Sequence, residues 1–217
     1  MNQNSIKVIT LISFCFFVFS CSKKDEKPIE ENSVENVQTN DTITTKIPLK
    51  TDTIAFDIST IPVSNAELGE FPFLALPKNI QFQNKPLLRE YDEIFFPLGP
   101  NNNFVKVGGK SFKTYLVKSD DSTSDWSLPY FEKMYDEAIT KLGGKLIYEG
   151  KATDQQTNFL KENARYLGEE GSIDYWGGPY RVYAIRRTNG DDVFIQLYGN
   201  TASGAIQILQ KEPVVAK

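Results

Sequence analysis

Twelve consecutive residues, Val8 through Phe19, are apolar apart from Thr10 and Ser13, and the run stops at Ser20-Cys21. A helix that crosses a bilayer needs about 20 apolar residues, so this run is too short to span one. Lys7 is the only charged side chain ahead of it, and Ser22-Lys23-Lys24-Asp25-Glu26-Lys27 comes directly behind it. That make-up suits a secretory signal peptide and divides the chain before any fold is considered. Residues 1–20 are expected to be a leader, so folding falls to the residues C-terminal to it.

Residues 21–53 are rich in Lys, Glu, Asn and Thr and keep no period of 2 or 3.6. Such a segment cannot bury enough apolar surface to offset its ordering entropy, so it reads as a flexible tether. Some 30 residues of flexible coil span roughly 30 Å. Residues 54–213 are dense in Phe, Tyr, Leu, Ile and Val, and residues 214–217 form a short tail. About 160 residues suffice to bury a single core, so one domain is expected over 54–213.

The clearest element is a helix over residues 128–142. Leu128, Phe131, Tyr135, Ala138 and Leu142 make one apolar stripe, with Ser127 as N-cap, Pro129 in the first turn and Gly143-Gly144 at the end. Trp126 is placed to staple its start, and residues 145–149 read as a strand after it. A weaker helix is expected over 154–167, with Thr153 and Gln156 at capping-box spacing and Gly168 at its end. Strands 180–188 and 193–198 flank Asn189-Gly190, a tight-turn dipeptide. Strands 104–107 and 112–117 flank Gly108-Gly109, read as the same signal, and 90–98 and 205–210 are further strands. The expected class is α+β: a mainly antiparallel sheet with one or two helices packed on one face.

The chain has no His, and Cys15 lies in the leader, leaving Cys21. The commonest general base, thiol chemistry in the domain and any zinc ligand set are thereby excluded, and no cofactor or metal is expected. A net charge of −4 gives no reason to expect nucleic acid. Asp120-Asp121, Glu169-Glu170 and Asp191-Asp192 are adjacent pairs in loops, not the two carboxylates across a cleft that a glycosidase needs. Gly108-Gly109-Lys110-Ser111 lacks the earlier glycine of a phosphate loop, since position 104 is Phe. The most unusual segment is Tyr175-Trp176-Gly177-Gly178-Pro179-Tyr180. Tyr175, Trp176 and Tyr180 are candidates for a stacking platform, with Arg181 beside them to frame an anionic group and Arg186 and Arg187 close by. The alternative reading is that the aromatics plug the end of the sheet and the arginines pair with acids.

Two resemblances add to this. Val18-Phe19-Ser20-Cys21 resembles the lipobox of bacterial lipoproteins, which implies cleavage before Cys21 and acylation of its thiol and new amine. Several acyl chains would make the anchor stable. Ser22 after the cysteine implies sorting to the outer membrane, with either face open. Within the domain, Ile61-Pro62-Val63-Ser64, Gly69-Glu70-Phe71-Pro72-Phe73, the stretch 91–96, Val107-Gly108-Gly109-Lys110, and the stretches 138–150 and 180–204 are similar, in order, to the N-terminal extracytoplasmic region of OmpA-family lipoproteins. Those proteins continue into a peptidoglycan-binding domain; a chain ending at Lys217 is expected to lack it. The expectation is a non-enzymatic outer-membrane lipoprotein whose domain binds or positions an envelope protein or glycan. The first alternative is a carbohydrate- or peptide-binding module using residues 175–180, and the remote one a carboxylate-based hydrolase.

Overall fold

The computed structural model describes residues 54–213. The leader 1–20, Cys21, the tether 21–53 and the tail 214–217 lie outside the described residues. The strands and helices run in the order β1 (Ile80–Phe82), β2 (Leu87–Phe96), β3 (Val105–Lys118), α1 (Leu128–Lys141), β4 (Lys145–Gly150), α2 (Asp154–Asn163), β5 (Tyr180–Ile185), β6 (Val193–Gly199) and β7 (Gly204–Lys211). They form an α+β domain with one seven-stranded sheet in the order β1-β3-β7-β6-β5-β4, and β2 also pairs with β3. Every strand pairing is antiparallel. The long β3 takes β7 along one edge; β2 and β1 lie end to end along the other, β2 up to Lys113 and β1 from Leu116. Neither helix is long and apolar enough to cross a membrane.

The helices do not share a face. Along β6, Val193, Ile195 and Leu197 join Phe131, Tyr135 and Ile139 of α1 in one core. Phe194 and Tyr198 join Leu160 of α2 in the other. The expectation of helices on one face is corrected by the central strands themselves. β5, β6 and β7 carry apolar side chains at odd and even positions alike, as strands covered on both sides do.

Helix α1 forms as its stripe predicts. Ser127 Oγ accepts from Tyr130 N, and Gly143 takes the left-handed conformation after the helix. Trp126, one residue before the cap, sits 5.3 Å from Phe131, ring to ring. It is the expected staple, fixed further by its Nε1 donating to Asn200 O. Gly199 and Gly204, at the ends of β6 and β7, leave the space that the Phe131 ring fills.

The glycine pair at 108–109 makes no hairpin. β3 runs unbroken through it, and the connection to β2 lies at residues 97–104. Both glycines are there because other groups approach closely. A Cβ on Gly108 would overlap the Tyr91 hydroxyl, and one on Gly109 would overlap the carbonyl of Gln210 in β7. The Asn189-Gly190 hairpin does form, with Gly190 left-handed. Its strands close at Ile185 opposite Val193, so the connection is longer than a two-residue turn.

Candidate functional site

The segment from residue 163 to residue 176 organises the molecule's candidate binding surfaces. The capping box at Thr153 and Gln156 starts α2 as the sequence indicates. The helix ends at Asn163, short of the expected Leu167, because Ala164 turns to extended backbone. Leu160 alone of the expected stripe is fully buried; Leu167 reaches the same core from the loop. Gly168 and Gly171 are both left-handed there, which permits two successive reversals.

Glu169 ties this segment to the sheet. Its carboxylate accepts from Arg89 Nη1 at 2.9 Å, Arg89 Nη2 at 2.8 Å and Lys113 Nζ at 2.7 Å. Lys113 also lies 2.7 Å from Asp92 Oδ2, which accepts from Arg89 and from Ser111 Oγ as well. Two cations and two anions thus share one site, with Asp92, Lys113 and Ser111 buried. A β-bulge assembles it. Between Arg89 and Asp92, β2 advances three residues while β3 advances two. Without the extra residue, Arg89 and Asp92 would point to opposite faces; the bulge turns both toward Ser111 and Lys113.

Burial by itself raises the pKa of Asp92, but Lys113, the Glu93 N–H and Arg89 outweigh it and hold the carboxyl below its ordinary value. Glu169 behaves likewise: burial is outweighed by Arg89 and Lys113. Both carboxylates are therefore held ionised. That suits a brace between loop and sheet, and gives neither the raised pKa of a general acid. Further down the loop, the Tyr115 hydroxyl donates to Glu169 O, and Gln207 Nε2 donates to Gly171 O.

Braced in this way, the segment walls two depressions. One, of about 290 Å³, lies beside Trp176 and is lined by Asp174, Tyr115, Tyr198, Asn200 and Ser203 among others. Trp176 is 47% exposed, with Lys161 Nζ 5.5 Å from its ring centre. Asp174 Oδ1 accepts from the N–H groups of Trp176 and Gly177, which sets the turn. Asp174 Oδ2 lies 3.4 Å from the Tyr198 hydroxyl at the depression. The other, of about 270 Å³, lies between β2 and the end of α2, lined by Tyr91, Asp92, Glu93, Phe95, Lys106, Asn163, Arg165 and Tyr166.

The sequence's candidate residues separate. Trp176 reaches the surface, whereas Tyr175 and Tyr180 are 6% and 1% exposed and belong to the core beneath the sheet. Their rings meet edge to face at 5.0 Å, and the Tyr175 hydroxyl donates to Gln196. A three-ring platform does not form, because β5 begins at Tyr180 and turns that residue inward with Val182 and Ala184. Arg181 is taken up by Glu149 and Glu132. Arg186 donates to the carbonyls of Ser59 and Ile61, and Arg187 to those of Ser64 and Ala66. Those two arginines fasten the residues ahead of β1 to the sheet.

Of the acidic pairs, Asp191 accepts from Gln210 and Asp192 from the backbone N–H of Arg187. Asp121 pairs with Ser119 Oγ. Lys110, in the phosphate-loop-like tetrad, lies 3.2 Å from Glu90. Sequence reasoning passed over Glu169 as half of an acidic doublet, and passed over Asp174, Tyr91, Arg165 and Tyr166 altogether. Gly168 and Gly171 mark a loop around Glu169 in the sequence, but nothing local names the cations that it meets. Comparison with known protein families, curated proteins and solved structures finds no match to this chain.

Proposed function

We propose that this chain is an outer-membrane lipoprotein, anchored through Cys21, whose domain binds an envelope glycan in the depression beside Trp176. The anchor rests on the apolar run ending at Ser20-Cys21 and the polar stretch behind it. The glycan reading is carried by one observation: a large indole left half-exposed at the rim of a depression that also offers a carboxylate, an asparagine and a tyrosine hydroxyl. Indole faces stack on the apolar face of a sugar ring, while Asp and Asn side chains bond its hydroxyls.

Trp176→Ala should weaken binding of neutral oligosaccharides to the full chain in detergent by roughly tenfold, measured by calorimetry, because an exposed aromatic anchor carries much of such an interface. Its melting temperature should stay close to that of the parent, since the indole contributes little to the core. A variant that binds as well as the parent would refute the reading, as would one that melts many degrees lower, which would mark Trp176 as a structural plug. The anchor is checked separately: labelled palmitate should enter the natural chain and not Cys21→Ala.

A further inference from the structure

The second depression is lined by different residues from the one beside Trp176. Its lining includes Tyr91, 54% exposed, and Tyr166, 49% exposed. Both rings are packed on one side, Tyr91 against Gly108 and Tyr166 beneath Arg89, yet each stays about half exposed at the same depression, and aromatic rings at a rim are suited to a flat ligand with one apolar side. Tyr166 is already stacked, because the Arg89 guanidinium lies 4.5 Å from its ring centre. That contact holds the tyrosine in place through the same brace that holds the loop.

The charge at the cleft is one-sided. Arg89 and Lys113 are balanced by Asp92 and Glu169 behind it. At the mouth, Lys106 is 3.0 Å from Glu93, and Arg165, exposed, has no ion-pair partner among the described residues. The free charge offered to a ligand is therefore one guanidinium. Its planar fork matches the two oxygens of a carboxylate. A phosphate group would call for more cations, or a nest of backbone N–H groups, than the lining residues offer. Asn163 lines the cleft beside Arg165, with its amide nitrogen already donating to Phe159 O at the end of α2, so Arg165 is left as the main polar anchor. A volume of about 270 Å³ is at the small end for ligand pockets and suits one ring rather than an extended chain.

We infer that the cleft between β2 and residues 163–166 binds a single ring bearing a carboxylate, of which a uronic acid is the natural type. Arg165 takes the carboxylate, and Tyr91 and Tyr166 enclose the ring. This cleft and the Trp176 depression are lined by different residues of the same braced segment.

The test titrates the full chain in detergent with glucuronate, with methyl glucoside and with inorganic phosphate, followed by NMR shifts. Glucuronate should bind with a Kd of about 1 mM and perturb Arg165, Tyr91 and Tyr166, with the neutral sugar and phosphate both weaker by roughly tenfold at this cleft. Arg165→Gln, a surface change expected to leave melting unaltered, should lower glucuronate affinity roughly tenfold, and Arg165→Lys should restore only part of it. Trp176→Ala should leave glucuronate binding at the cleft intact. Equal binding by Arg165→Gln, phosphate binding tighter than glucuronate, or shifts confined to the Trp176 side would each overturn the assignment.

Discussion

Lys113→Met is expected to destabilise the domain by about 3 kcal/mol, because breaking a buried ion pair from one side leaves its partner's charge uncompensated. For a domain of this size that corresponds to a fall in Tm of roughly 6–12 °C. Lys113 serves two carboxylates, Asp92 and Glu169, at 2.7 Å each, and its side chain is nearly enclosed. With the ammonium gone, Arg89 alone faces both anions. Adding Asp92→Asn restores neutrality, so the double variant should be less destabilised than the two single costs added together. A shift of less than about 0.5 kcal/mol for Lys113→Met would show that the cluster contributes no more than a surface pair.

The same cluster sets an acid limit. Asp92 and Glu169 both have pKa values below their ordinary 3.8 and 4.5 in the folded state. A depressed carboxyl pKa means that the unfolded chain binds protons more readily than the native one. The stabilisation is thus fully present above those ordinary values and drains away as pH falls below them, through the lower folded ones. Urea titrations between pH 7 and pH 3 should show this loss in the parent and a shallower one in Lys113→Met. A parallel slope in both would contradict the assignment.

Gly171→Ala is the second large effect, expected at about 2–4 kcal/mol from left-handed backbone strain plus a steric overlap. At φ +76° the added Cβ would overlap the backbone N of Thr114 in β3. The strand cannot give way without losing its pairing with β7, so the loop has to lift, and the Gln207 bond to Gly171 O and the Glu169 contacts lift with it. Gly168→Ala is the matched control: its φ is +86° but nothing lies within 4 Å of the added carbon. It should cost only the backbone term of about 1 kcal/mol. If both variants lose the same stability, the loop is not pressed onto the sheet as described. Gly171→Ala should also weaken ligands at both depressions, whereas Trp176→Ala and Arg165→Gln each touch one.

The elements that a sequence states locally were legible. Helix α1 follows from an apolar stripe, a serine cap and a glycine stop, all within 18 residues, and the capping box of α2 from two residues three apart. What failed depends on distant chain. Gly108-Gly109 carries the letters of a turn, but its glycines answer Tyr91 and the β7 backbone, about a hundred positions on in the second case. The helices fall on opposite faces because β5, β6 and β7 are apolar at odd and even positions alike, and which helix covers which face depends on chain far from those strands. In the site, Tyr180 could have been placed inward, since it opens a strand whose alternate residues Val182 and Ala184 are apolar. Glu169 could not: its cations lie 80 and 56 positions earlier, and a β-bulge is needed to aim one of them.

Both proposed ligand surfaces hang on one braced segment, residues 163–176. Amide hydrogen exchange of the full chain in detergent, with and without an acidic oligosaccharide, reads that dependence along the whole backbone. Added protection is predicted at residues 163–176 and at the facing parts of β2 and the β6–β7 turn, and its loss in Gly171→Ala but not in Gly168→Ala. Protection confined to other regions, such as α1 or the β4 edge, would contradict it.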